Sequence, residues 1–393
     1  NHMGHKAHDF MMASGKLQAL CYKHEIEKTL RTPDYAGFQL LGLNDFPGQG
    51  NAIIGLLDAF YGEKGYITPK ETRRFCGPTV PLARIPKFTY KNDEIFHATI
   101  EVSHFGNAVL DSTKTTYTIR DEYGKIYYKE ISNNRTIPVG NCIQLGEVNY
   151  PLASITSPAK LNLEVCIEGT HFANDWDFWV YPAVVETNQG NVYITDTFNE
   201  KALETLASGG NVLITAARKI TYGQGIVQQF TPVFWNTSWF KMRPPHTTGI
   251  WVNNNHPLFK NFPTEYHSNL QWWELLNNAQ VMLFSDFAYE FEPLVQSIDT
   301  WFLSRKIGTL FEAHVLNGKL MMTSMDITTD LDNRIVARQM RKAILDYMNS
   351  PHFRPVSHVK VQQIEDLFRK PTPVINMHTK QSPEELKPSY NVK

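Results

Sequence analysis

The stretch that most constrains the fold is 36–67, AGFQLLGLNDFPGQGNAIIGLLDAFYGEKGYI. It opens as a mostly apolar run over 36–43, with Gly37 and Gly42 breaking it. It turns polar at Asn44-Asp45 and enters a Pro-Gly-Gln-Gly loop. An apolar run of that length, bounded by turn residues, predicts a strand buried on both faces. A helical pattern precedes it and a capped helix follows it, so the expected context is a strand feeding a helix, as in a parallel α/β barrel. In such barrels the C-terminal strand ends carry the site.

Upstream, 7–30 has a helical pattern. Phe10, Leu17, Leu20, Cys21 and Leu30 can share one side, while Lys16, Lys23, Glu27 and Lys28 are expected to face water. Arg31-Thr32-Pro33 stops it. Downstream, Thr68-Pro69-Lys70-Glu71 is a capping box with proline at the first helical position. The proline-rich stretch 78–86 reads as a linker.

The period then changes. Phe96, Ala98, Ile100 and Val102 alternate with polar residues, as do Leu161, Leu163, Val165 and Ile167. Several short alternating strands over 87–183 predict an antiparallel, immunoglobulin-like sandwich. Over 184–354 a strand–helix–strand order predicts parallel pairing in an open α/β sheet. Asn317-Gly318 between two strands signals a type I′ hairpin. The tail, 355–393, is rich in proline and lysine, with 359–368 able to dock back as a short strand and helix.

Several motifs invite chemical readings that the residues do not carry. His2, His5 and His8 recur at helical spacing but lack the carboxylate or cysteine and supporting shell of a metal centre, so no metal is expected. Asn199-Glu200 reads as a helix N-cap followed by a favourable first-turn charge. For the Asn174–Trp179 run, packed aromatics of a closing strand are preferred over a sugar platform. Trp235, Trp239, His246, Trp251 and His256 fall in a long aperiodic segment, for which packing is again the default.

Net charge is −1, which gives no electrostatic case for nucleic acid or an anionic membrane. No run of about 18 apolar residues predicts a membrane-spanning helix. Cys21, Cys76, Cys142 and Cys166 are too few and too scattered for a disulfide framework or a zinc knuckle.

Three segments together carry a family resemblance: NHMG at 1–4, MASGKLQALCYKHEIEKTLRTPDYAGFQLLGLNDFPGQG at 12–50 and FCGPTVPLARIPK at 75–87. They closely resemble glycoside hydrolase family 2, in its large β-galactosidase-like members of the Bacteroides type. The resemblance implies that 1–77 is the C-terminal part of a (β/α)8 barrel, entered between its seventh and eighth strands. The catalytic acid/base and nucleophile would then lie upstream of Asn1, and this chain would carry no catalytic residue. It further implies a retaining glycosidase acting on a terminal sugar, without a cofactor, in a periplasmic or secreted setting. The unit 184–354 resembles the degenerate glutamine-amidotransferase-like module of some large glycosidases. An active amidotransferase needs a cysteine nucleophile, and 186–354 contains none.

In that frame Asn44, Asp45, Phe46 and Gln49 are the candidate substrate-binding residues. Amides and carboxylates bind sugar hydroxyls, an aromatic face stacks on a pyranose ring, and all three types fall within six positions. Many family members carry tryptophan near this strand end; here the order is Leu43-Asn44-Asp45-Phe46. The competing reading is an Asx-type turn, with Asn44 and Asp45 satisfying nearby backbone amides. The expected partners are a carbohydrate substrate and the missing N-terminal catalytic half. A homo-oligomer is left open. The rival to the enzyme is a non-catalytic carbohydrate-binding or scaffold protein with a barrel remnant.

Overall fold

The computed structural model describes residues 1–35, 37–40, 42–46, 54–228, 230, 247–300 and 303–373. They form a multidomain, mostly β protein with several sheets and few helices.

Helix α1 (Ala7–Leu30) forms over the expected range, but it is not a simple amphipathic surface helix. Ala13, Gly15, Leu17 and Ala19 are all buried, because the helix is enclosed on more than one side. Gly15 is required there. A Cβ at that position would lie 2.3 Å from the Tyr66 ring, which packs directly on the helix backbone. Glu27, expected to face water, is fully buried.

The strand expected over 36–43 is not formed by the described residues. Phe38, Leu40 and Leu43 are 42%, 37% and 46% exposed. A two-sided buried strand needs neighbours to pair its backbone and cover both faces. Here pairing begins only at the end of the run, where Leu57 N donates to Leu43 O (3.0 Å) and Asp45 N to Leu57 O (2.9 Å). No barrel strand is built by the described residues of this part. Helix α2 (Pro69–Phe75) follows, with Thr68 and Glu71 closing the capping box reciprocally.

The linker expected over 78–86 is instead strand β1 (Thr79–Arg84), almost wholly buried. Its prolines suggested a linker, but β1 is an edge strand, where a residue lacking an N–H is tolerated. It pairs antiparallel with β3 (Ile95–His104), which pairs with β8 (Gly140–Pro151). The second sheet runs β2 (Thr89–Lys91), β10 (Ala173–Tyr181), β9 (Ala159–Ile167), β5 (Thr115–Asp121), β6 (Ile126–Ile131). Strands β4 (Leu110–Thr113) and β7 (Arg135–Ile137) form a separate ribbon. The β2–β10 pair is parallel, so the sandwich is not purely antiparallel. The alternating residues of β3 and β9 meet in one core, where Phe96 stacks on Phe178 at 4.1 Å.

Strand β10 packs on both faces. Trp176, Phe178 and Val180 enter the sandwich core, while Trp179 and Tyr181 enter the core of the next unit. That unit is built on β11 (Val192–Thr195), α3 (Glu200–Ala207), β12 (Asn211–Thr215), β13 (Ile250–Val252), α4 (Trp272–Asn277), β14 (Met282–Leu283), β15 (Val295–Ser297), β16 (Ile307–Val315), β17 (Gly318–Thr323) and α5 (Ile335–Met348). The sheet order is β11-β12-β17-β16-β15-β13, with β14 also on β16. The first three strands are parallel and the others antiparallel. Asn199 caps α3 by accepting from Ala202 N at 2.9 Å.

The β16–β17 hairpin forms, but one residue out of the expected frame. Val315 faces Gly318, and the positive φ (53°) falls on Leu316. Gly318 is instead needed for close packing: a Cβ there would meet Gly210 O at 2.5 Å and the Leu206 backbone at 2.7 Å. From the tail, α6 (Val361–Arg369) buries Ile364 and Leu367 in the core that also takes Ala202 and Leu206 of α3. Residues 374–393 lie outside the described residues.

Candidate functional site

Of the candidate substrate-binding residues, Asp45 shares a cavity wall with α1. Asp45 is 7% exposed, and its Oδ1 accepts from Lys64 Nζ (2.7 Å) and from the Gly55 backbone N–H (3.0 Å). Lys64 also donates to Gly55 O (2.8 Å), as does the Tyr66 hydroxyl (3.0 Å), which in turn meets Gln18 Oε1 at 2.8 Å. Gly55 has no room for a side chain, since a Cβ would lie 2.2 Å from the Asn44 carbonyl carbon. Asn44 is half-buried and donates to Asp45 O at 3.1 Å. Phe46 is 57% exposed. Gln49 lies outside the described residues.

Asp45, Lys64, Tyr66 and Gln18 border a cavity of about 650 Å³ that runs along α1 past Phe10 and Met11 to Thr248 and Ile298. The strand-end motif pointed to Asp45, but its partners lie 10 and 19 residues downstream, with no local pattern to mark them. Because both ends of the Asp45–Lys64 pair are largely buried, breaking either leaves the other charge poorly solvated. Asp45→Asn is expected to cut amide protection at Gly55 by roughly tenfold or more, matching the 1.5–3 kcal/mol typical of a charge-assisted bond. Lys64→Met should do the same, and the double variant should cost less than the sum. Strictly additive effects would show that Asp45 does not serve this turn.

Another carboxylate pair has the electrostatic split of an acid and a nucleophile. Burial pushes the Glu274 carboxyl up, with the Asp326 charge adding and Arg334 opposing. Burial alone would also raise Asp326, but hydrogen bonds from Thr329 and Thr328 and the Arg334 charge more than reverse this and hold it down at about 2. Divergent environments of this kind mark acid/base assignments. Here, however, the Arg334 guanidinium sits between the two, on Glu274 and at 3.2 Å from Asp326. It fills the space a glycosidic bond would need, and neither carboxylate lines a described cavity.

His5 Nε2 meets Glu292 at 3.1 Å, and His2 packs edge-on against Tyr289. Among the described residues, no group of three histidine, cysteine, aspartate or glutamate side chains could hold a metal ion. Trp251 lies on β13 with the Lys6 ammonium 3.7 Å above its ring, and His256 meets Tyr347 and Glu312. Trp235, Trp239 and His246 lie outside the described residues.

Two family models match the chain: a domain of unknown function, DUF8488, over 94–182, and a second, DUF8487, over 193–369. No curated protein matches. Solved structures with partial likeness include glycoside hydrolases. Parabacteroides merdae β-glucuronidase is 10% identical, with 36% of this chain and 22% of that chain covered and a TM-score of 0.21. A family 123 glycoside hydrolase from Clostridium perfringens is 10% identical, with 36% and 35% covered and a TM-score of 0.19. A CARDB domain from Pyrococcus furiosus, solved with di-metal ions, is 13% identical, with 26% and 93% covered and a TM-score of 0.21. The chain thus spans about a fifth of the β-glucuronidase's length.

Proposed function

We propose that this chain is the C-terminal accessory part of a retaining glycoside hydrolase of the family 2 type, acting on a terminal β-galactoside or related sugar. The sandwich is read as immunoglobulin-like and the 184–354 unit as a degenerate amidotransferase-like module. In this reading the chain carries no catalytic carboxylate. Asn44 and Phe46 stand at the rim of the substrate site, with Asp45 bracing the turn that presents them.

The observation that carries the proposal is the uncovered apolar surface of the described residues between 35 and 61. Tyr35, Phe38, Leu40, Leu43, Phe46, Phe60 and Tyr61 are each 37–93% exposed, although the following sheets have fully buried cores. Exposed apolar surface of this extent marks a partner, and among the described residues 37–40 has no strand neighbour. The missing barrel supplies both the cover and the backbone partners. Amides of 37–40 are therefore expected to exchange at near-unfolded rates in this chain, while those of 98–102 exchange at least about a thousandfold more slowly. Extending the chain at its N-terminus with the encoded barrel should bring 37–40 close to the sandwich values. Full protection of 37–40 in the 393-residue chain by itself would refute the proposal.

A further inference from the structure

The cavity of about 650 Å³ along α1 has a polar end and an apolar body. We infer that it binds an amphiphile: a neutral glycoside whose sugar carries an apolar alkyl or aryl group. This goes beyond the proposed glycosidase role and does not rest on it, since the walls come from this chain.

Asp45 stands at the polar end, more than nine-tenths buried. Both bonds that brace its turn fall on Oδ1, from Lys64 Nζ (2.7 Å) and the Gly55 N–H (3.0 Å). Its Oδ2 has no partner among the described residues, and it is not sealed away from a ligand. A carboxylate oxygen left open in a cavity asks for a donor. Lys64 also donates to Gly55 O (2.8 Å), which leaves one of its three protons for a further acceptor. An open acceptor and an open donor thus lie side by side on one ion pair. A vicinal diol matches that couple, with one hydroxyl donating to Oδ2 and the neighbouring oxygen accepting from Lys64. The pair has no net charge, so a charged ligand gains nothing there. Asp299, the other carboxylate on the described wall, has both oxygens taken by Arg305 and does not compete.

The body of the cavity is apolar. Ala7, Phe10, Met11 and Ser14 follow at helical spacing, so one face of α1 forms a wall, and Ile54 and Ile298 line it with them. Met11 is 40% exposed, and methionine adapts to irregular apolar shapes. Apolar walls with a few convergent polar groups are the usual make-up of a small-ligand site, and the volume lies within the roughly 300–1,000 Å³ such sites have. A free sugar would leave the apolar body unfilled. A plain alkyl chain would leave Asp45 Oδ2 without a donor. A sugar joined to an apolar group satisfies both ends.

The test is calorimetric titration of the full chain with octyl β-galactoside and octyl β-glucoside, each below its micelle concentration. Galactose, octyl sulfate and the octyl ether of triethylene glycol, which has no vicinal diol, are titrated beside them. At least one octyl glycoside should bind saturably, with Kd below about 1 mM. The three comparison compounds should each bind at least about tenfold more weakly, the size of one or two hydrogen bonds. Asp45→Asn sets an N–H where Oδ2 stands, and should narrow the preference for the glycoside over the glycol ether to about threefold or less. That ratio does not respond to a general loosening of the turn. Met11→Lys, at an exposed position, should weaken glycoside binding at least about fivefold while melting like the parent. Three results would overturn the inference: no saturable binding of either octyl glycoside, equal or tighter binding of the glycol ether or octyl sulfate, or glycoside binding and preference unchanged in either variant.

Discussion

Glu27→Ala is expected to destabilise the chain by about 3–5 kcal/mol, the range for removing one partner from a buried charge network. Glu27 has no exposed surface. Its carboxylate accepts from Lys23 Nζ (2.6 Å), Asn174 Nδ2 (2.8 Å) and the Trp176 indole N–H (2.9 Å), with Arg31 at 3.7 Å. Asn174 also donates to Pro81 O at 2.9 Å, so one acid joins α1 to β10 and, through Asn174, to β1. Truncation leaves a half-buried ammonium, a buried amide and an indole N–H each short of an acceptor at once. A fall in melting temperature on the order of 10 °C should follow, together with a change in the near-ultraviolet dichroism of Trp176. Glu27→Gln should recover only part of the loss, since its amide sets donors against donors. Lys28→Ala, at an exposed position one residue on, should stay within about 0.5 kcal/mol of the parent. Equal effects at 27 and 28 would show that the network does not hold the helix.

Glu27 also shows where sequence reasoning stops. Helical period places a residue on a face, but says nothing about whether a second partner covers that face. The Thr68–Glu71 capping box, the Asn199 cap and the alternation in β3 and β9 were legible because each is encoded within a few residues. Strand β1 was hidden because Pro81 and the prolines flanking it mark an edge strand and a linker equally well. The apolar run over 36–43 has the pattern of a buried strand, but pattern supplies neither the neighbours that pair it nor the elements that cover it. The Asp45–Lys64–Gly55 brace and the Asn269–Glu265–Lys160 group join residues from distant parts of the chain, so only the fold brings them together.

The largest expected effect concerns catalysis. Retaining glycoside hydrolysis needs two carboxyl groups about 5–5.5 Å apart, one free to attack and one to transfer a proton. Among the described residues, Asp175, Asp177 and Glu265 are held by Arg74, Lys160 and Asn162, Glu71 by Lys16 and Thr68, and the Glu274–Asp326 pair is filled by Arg334. Enzymes accelerate their reactions by at least about 10⁶-fold, and none of that is expected of this chain without the proposed barrel.

The most direct measurement is turnover of a panel of nitrophenyl β-glycosides by two proteins: the chain itself, and the chain preceded by the barrel that the proposed function places before Asn1. The chain by itself is expected to release no nitrophenol above buffer, and the longer protein to hydrolyse at least one β-glycoside of the panel at an enzymatic rate. Turnover by the 393-residue chain, or a folded long form inactive on every glycoside tried, would contradict the assignment.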